Sequence, residues 1–436
     1  MVGEKVVGRW RVGGSGIVFK FGCSGELLRG SPTRMVIYSH DTFGLGHLRR
    51  NLALAQALVK ANPQMRIVIV TGSSVAGNFS VGHGIELVEL PPVVKVGPDR
   101  YQSYGSSISL SLIKRARGAI LKDVVDRFDP ELFYVDHSPL GMSNELLPVL
   151  EYLVSSKPHI RRLIGLRDII DSPKNVEAGW GHDGVLSAIT EFYDQVFVFG
   201  EEHLFDFAKA YQLGPDFKAK YLSYLGKPEF IEAGVKRVAQ FSSKENPRGH
   251  LLITAGGGGD GQIVCELGIR VARQLDIPAV LVMGPLMDRD KIASLVKLCR
   301  GNDNIVLTEF SPNIEELVVG ARVAFSMAGY NTIVELCAAR VPTIYVPRTY
   351  PREEQLVRAQ IFEKLGFGKM VLSDKWSFED ICSQTLTYWN SPFLLSSAQV
   401  NLSAIPRFAS QIVVPDTQNI KRAHMGYEHA GVDSQR

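Results

Sequence analysis

Phe325-Ser326-Met327-Ala328-Gly329-Tyr330-Asn331-Thr332-Ile333-Val334-Glu335-Leu336 reads as the end of a buried strand, a turn of small residues and the first turns of a helix. The apolar run closes near Ser326, and helical spacing begins at Asn331 or Thr332. A helix opening there leaves its first amide N–H groups without intrahelical partners. It also points the positive end of its dipole at the turn, a setting suited to a diphosphate. Glu335 falls about one turn inside, where its carboxylate can reach ribose hydroxyls. Taken alone, without its neighbours, Glu335 reads better as a solvated helix residue.

The same strand–turn–helix rhythm runs outward in both directions. Leu251–Thr254, Ala279–Met283, Ile305–Thr308, Val323–Ser326 and Thr343–Val346 are short apolar runs, each followed by a helical pattern. Upstream, Met35–Ser39, Arg66–Thr71, Glu86–Leu90, Leu132–Val135, Leu163–Leu166, Gln195–Phe199 and Tyr221–Tyr224 form a second such series. Short, fully apolar strands alternating with helices predict parallel sheets covered on both faces. The fold class is therefore α/β, with two Rossmann-like, doubly wound domains facing across a cleft. The polar stretch Gln240–His250 is the expected linker. The divisions are a disordered extension over 1–33, a first domain over 34–240 and a second over 241–375. A helical segment over 376–410 and a flexible tail over 411–436 follow.

In open α/β sheets ligands sit beyond the carboxyl ends of the strands, and four further stretches fall there. Gly44-Leu45-Gly46-His47 follows the first strand. The glycines permit close approach, and His47 can act as base toward an acceptor hydroxyl or merely cap its helix. Asp136, after Leu132–Val135, can orient the acceptor or the histidine; His40 and Asp41 also belong to the cleft. The glycine loop Gly256–Gly261, with Gly257 and Gly258 at its centre, offers backbone N–H groups to an anion or is simply a turn. Glu354 and Gln355 open another helix, where a carboxylate and a carboxamide can hold sugar hydroxyls.

The order Ser-x-Ala-Gly-x-x-Thr-x-x-Glu, a strand ending in Val-Pro, then Glu-Gln, resembles the donor site of GT-B glycosyltransferases. It is most similar to the family containing the bacterial N-acetylglucosaminyltransferase that makes the peptidoglycan lipid intermediate, in a branch of predicted glycosyltransferases. The resemblance covers Met35 to Leu372. It implies diphosphate contacts at Ala328, Gly329, Asn331 and Thr332, ribose binding at Glu335, and donor-sugar binding at Glu354 and Gln355. Gly44, Gly46 and His47 would face the acceptor and the reaction centre. The first domain would then receive the acceptor and the second the nucleotide-sugar. Two departures stand out. The glycine run ends in Asp260 without the family's Ser, and Arg358 replaces an Asn.

The expected activity is inverting, metal-independent transfer from a nucleotide-sugar, by default a UDP-sugar, to a hydroxyl acceptor. That acceptor is a saccharide, a lipid-linked group or a small molecule. A nucleotide-sugar 2-epimerase and a non-catalytic nucleotide-sugar-binding protein are the alternatives. No cofactor and no metal site are expected: Asp288-Arg289-Asp290 reads as surface charge at a helix start, and the cysteines (Cys23, Cys265, Cys299, Cys337, Cys382) show no ligand spacing. With a net charge of +3 and no long basic run, nucleic acid is not an expected partner. No apolar run of about 18 residues reads as a membrane span. The expected setting is cytoplasmic, with room for peripheral membrane contact.

Overall fold

In the computed structural model of the chain, the described residues are 6–12, 15–21, 33–41, 46–73, 76–78, 81–97, 100–103, 108–181, 184–242, 249–311, 313–372, 375–391 and 400–413. The N-terminal lobe is built on a seven-stranded parallel sheet. Its order is Ala219–Tyr221, Gln195–Phe199, Arg161–Arg167, Leu132–Asp136, Arg34–Ser39, Arg66–Thr71, Ile85–Glu89. The C-terminal lobe holds a six-stranded parallel sheet ordered Ile305–Thr308, Ala279–Val282, His250–Thr254, Ala321–Ser326, Thr343–Tyr345, Gly368–Met370. The strand Gly368–Met370 is too short and too polar to have been read from its residues.

The central strands are apolar on both sides because helices cover both faces. Every residue of Leu132–Asp136 and of Ala321–Ser326 is buried. The helix Gly46–Ala61 turns Leu48, Leu52, Ala55 and Leu58 into that core. Its Arg50 and Asn51 are equally buried, but their partners are polar.

The strand expected over Tyr221–Tyr224 lies at Ala219–Tyr221, and two further passages differ from the sequence expectation. Val6–Val12 and Ser15–Phe21, placed in a disordered extension, form a two-stranded antiparallel hairpin. Val, Ile, Phe and Trp at these positions favour extended backbone, an effect outweighed in the sequence reading by the surrounding glycines. The helix Pro228–Ser242, assigned to the first domain, packs on the second. Its Phe230 lies in one apolar cluster with Leu252, Val318 and Leu336, and Arg237 Nε donates to Ala321 O at 2.9 Å. Gly234 permits this approach, since a Cβ there would stand 2.7 Å from Ala338 O. Residues 243–248 of the expected linker lie outside the described residues.

The chain returns after the helix Phe378–Asn390. Its last described helix, Ala404–Val413, seats Phe408 against Tyr134, Phe197 and Phe199 of the N-terminal lobe, with ring centroids 5.3 to 6.1 Å apart. A buried phenylalanine of this kind contributes about 1.5–3 kcal/mol. Residues 411–413 of the expected tail belong to this helix, and 414–436 lie outside the described residues. The outgoing and returning passages run side by side. Leu225 and Ser403 form an antiparallel bridge, and Tyr224 N donates to Asn401 O at 2.9 Å. Gly226 has no room for a side chain, because a Cβ would lie 2.5 Å from that of Leu402.

Candidate active site

On the C-terminal side, the strand Ala321–Ser326 ends where Ser326 Oγ accepts the N–H of Ala328 at 3.3 Å. Ala328 adopts φ of 60°, a left-handed conformation unusual for a residue with a side chain. Gly329 is the N-cap of the helix Tyr330–Ala338 and provides no side-chain cap to its first turn. A Cβ on Gly329 would meet nothing within 4 Å, so this position is open, whereas Ala328, an expected diphosphate contact, is fully buried. Thr332 lies beside the glycine loop, its hydroxyl 3.6 Å from where a Cβ on Gly256 would be.

Within that loop the two expected anion-binding glycines differ. Gly257 is exposed, whereas Gly258 is buried, and a Cβ there would stand 2.6 Å from Met283 O. With φ of 95°, Gly258 is needed for backbone packing. Arg348 ties the loop to the next motif, pairing with both Asp260 and Glu354. Gln355 Oε1 accepts the Arg348 N–H at 3.0 Å, and Glu354 Oε2 is buried with no partner among the described residues. Glu335 pairs with Lys227 Nζ at 2.5 Å. Asp288, read as surface charge, caps the helix Arg289–Cys299 through the Asp290 N–H.

Across the seam, Asn331 Nδ2 donates to Gly46 O at 3.3 Å, so the side chain expected at the diphosphate is engaged with the opposite lobe. The chain neighbour of Gly46 is His47. Gly44 lies outside the described residues. His47 Nδ1 meets Asp136 Oδ2 at 2.6 Å, and Arg167 Nη2 meets His47 Nε2 at 3.0 Å. Arg50 Nη2 also stands 3.3 Å from Nδ1, but the carboxylate at 2.6 Å requires a proton there, so Nδ1–H donates to Asp136 and the lone pair on Nε2 accepts from Arg167. Asp136 also pairs with Arg50 and accepts Asn51 Nδ2 at 3.1 Å. Asp41 accepts Thr71 Oγ1 at 2.7 Å and the Leu48 N–H at 3.0 Å, which fixes the start of the histidine's helix. His40 and His137 bring their rings within 5.8 and 5.7 Å of His47.

Burial pushes the Asp136 carboxyl up, but Arg50, His47 and Arg167 more than reverse this and hold it well below the usual carboxylate range. Burial, then Arg167, lowers His47 to about 4 against the pull of Asp136. Burial raises Asp41 to about 6, the Ser39 and Thr71 hydroxyls acting the other way. With its value at about 4, His47 is neutral over the pH range above that. The acid limb of kcat/KM for His47-dependent chemistry is therefore expected near pH 4 to 5; an ordinary histidine would give 6.5. The linked stability has the same sign. The folded state resists protonating His47, so stability falls as pH drops from the unfolded value toward 4. A pH–rate profile with its acid limb at 6.5 would contradict this assignment.

Sequence reasoning missed the second tier of the site. Arg358, noted only as a departure, forms a buried pair with Asp168 of the N-terminal lobe at 2.8 Å. Its Nη1 donates to Ala328 O at 3.1 Å and so braces the left-handed turn. Asp171 Oδ1 accepts the Glu353 N–H at 2.7 Å. Arg50, Asn51, Arg167 and Lys227 were also missed. The available signal was an arginine and an asparagine set among apolar helix positions, and charges directly after the strand Leu163–Leu166.

Residues 262–409 match the glycosyltransferase family 28 C-terminal domain. The chain is 28% identical over 131 residues to the UDP-N-acetylglucosamine--N-acetylmuramyl-(pentapeptide) pyrophosphoryl-undecaprenol N-acetylglucosamine transferase of Bacillus cytotoxicus, covering 30% of this chain and 34% of that protein. The enzyme of the same name from Campylobacter jejuni is 30% identical over 136 residues, 31% of this chain and 40% of that protein. The chain thus spans about a third of the length of the first curated relatives it matches. Among solved structures, Acinetobacter baumannii MurG superposes with a TM-score of 0.53 at 14% identity, over 90% of this chain and 99% of that one. CalG4, the calicheamicin glycosyltransferase, gives 0.53 at 14% identity, over 92% and 100%. The chain has the GT-B fold, and the family match falls on its C-terminal lobe. No helix among the described residues is long and apolar enough to cross a membrane.

Proposed function

We propose that this chain is a glycosyltransferase that moves a sugar from a nucleotide-sugar, in the first instance a UDP-sugar, to a hydroxyl acceptor with inversion. The observation that carries this reading is the meeting of His47 and the turn Ala328–Gly329 at one seam, through the contact of Asn331 with Gly46. The acceptor oxygen bonds to the anomeric carbon while the bond from that carbon to the phosphate oxygen breaks. The hydroxyl proton passes to His47 Nε2, and the electron pair leaves with the nucleoside diphosphate. Asp136 keeps Nδ1 protonated, and so orients the imidazole, and stabilises the imidazolium that forms. The uncapped first turn of Tyr330–Ala338 receives the developing charge of the leaving group. Closure of the lobes shields the donor from water. The acceptor, saccharide, lipid-linked or small, enters from the N-terminal side, and a cytoplasmic setting with peripheral membrane contact belongs to the same proposal.

Thermal-shift measurements against nucleoside diphosphates and nucleotide-sugars test the donor half first, since a ligand of the folded state raises apparent stability. UDP or a UDP-sugar is expected to stabilise the chain; no response to any nucleoside diphosphate would sink the proposal. Product analysis without an acceptor separates transfer from epimerisation, because only an epimerase converts the donor alone. Within this reading Glu335 exchanges Lys227 for the ribose. Glu335→Gln is then expected to weaken UDP binding about tenfold or more, the range of a hydrogen bond to a charged group. Unchanged affinity would remove Glu335 from the site.

A further inference from the structure

Of the three arginines around His47 and the Ala328 turn, Arg50, Arg167 and Arg358, Arg167 alone has no ion pair among the described residues. Arg50 pairs with Asp136 and Arg358 with Asp168. Arg167 stands at the end of the strand Arg161–Arg167, with Arg50 and Arg358 as its cationic neighbours. Its Nη2 donates to His47 Nε2 at 3.0 Å, and its Nε is buried with no partner. Burial, then Arg50, lowers it to about 9. A half-buried cation beside two others, with a buried Nε that donates to nothing and one hydrogen spent on a neutral imidazole, sits in an unfavourable environment.

This contact also has a chemical consequence. The lone pair it occupies is the one that must take the acceptor's proton. We propose that Arg167 is a positioning residue that caps His47 Nε2 before substrate binds and is drawn off by a substrate phosphate, so that the base is uncovered only in a loaded cleft. The inference rests on the transfer reading above. A guanidinium prefers the two oxygens of a phosphate to a single imidazole nitrogen, because it can bind them with parallel hydrogen bonds. Arg167 is within electrostatic reach of both Arg358, which braces Ala328, and Glu354, so a phosphate at that turn is a competing partner. The phosphate comes from the donor's diphosphate or from a phosphorylated acceptor.

The test is the titration of His47 by NMR in the full chain carrying nitrogen-15 histidine, with His47→Gln to assign the signal. The other groups facing His47 are Asp136 and His137 after one strand, His40 and Asp41 after another, and Arg50 on its own helix. All are common to every sample. R167M is expected to raise the His47 pKa by about one unit or more, and R167K to keep it low, since removing a like charge favours the charged form. In the wild-type chain, saturating UDP is expected to raise it if the donor draws Arg167 off. Inorganic phosphate added over UDP is expected to raise it if the acceptor does. Neither addition should move it in R167M. An unchanged value in R167M, or a wild-type chain that responds to neither UDP nor phosphate, overturns the proposal. The R167M titration needs neither nucleotide nor turnover. Failure of the transfer reading, seen as absence of stabilisation by UDP, therefore shows separately.

Discussion

His47→Ala is expected to lower the rate of sugar transfer by about 10²–10⁴-fold, the usual contribution of a positioned general base. UDP affinity should not fall by more than about twofold, because the proposed diphosphate turn lies on the other lobe. The arrangement around His47 makes the loss specific to chemistry. Its Nδ1 is committed to Asp136, and Asp136 in turn neutralises Arg50 and holds Asn51. Removing the imidazole leaves that buried carboxylate with its arginine, so the lobe retains its charge balance. Steady-state kinetics on the purified variant, beside UDP titration by thermal shift, would read the two effects apart. Full transfer activity in His47→Ala would move the base elsewhere, with His137 the nearest other imidazole at 5.7 Å.

The second large effect is on stability. Arg358→Met is expected to destabilise the chain by about 3–5 kcal/mol, because it leaves Asp168 buried and unpaired. Arg358 and Asp168 are each 1% exposed, and they join residues 190 positions apart across the seam. Arg358 also supports Ala328 O and accepts no substitute for its fork of donors. The double replacement Arg358→Met with Asp168→Leu should recover most of the loss, since it removes the stranded charge along with its partner. Urea unfolding of the three variants measures this. A single Arg358→Met chain within about 1 kcal/mol of wild type would show that the pair does not hold the lobes.

The fold was legible because parallel strands buried on both faces leave continuous apolar runs such as Arg66–Thr71 and Gln195–Phe199, whose bounds match the structure. The strand Gly368–Met370 was not legible, since it is three residues long and lies at the sheet edge. At the site, the strand-end rule led to His47, Asp136 and the turn before Tyr330, because position relative to a strand is local information. Pairings were beyond reach. The partner of Arg358 lies 190 residues away, and that of Glu335 lies 108 residues away, in a segment with no motif. The helix Pro228–Ser242 was misassigned for a related reason. A polar stretch announces where a linker lies, but the lobe that a helix covers depends on which apolar face meets it.

The paired passages at Leu225 and Ser403 confine how the molecule can breathe. Two passages bridged at one place tie the lobes together there, so a change at either one is felt by the other. A side chain at Gly226 would wedge the two passages apart and so reach both lobes from a single position.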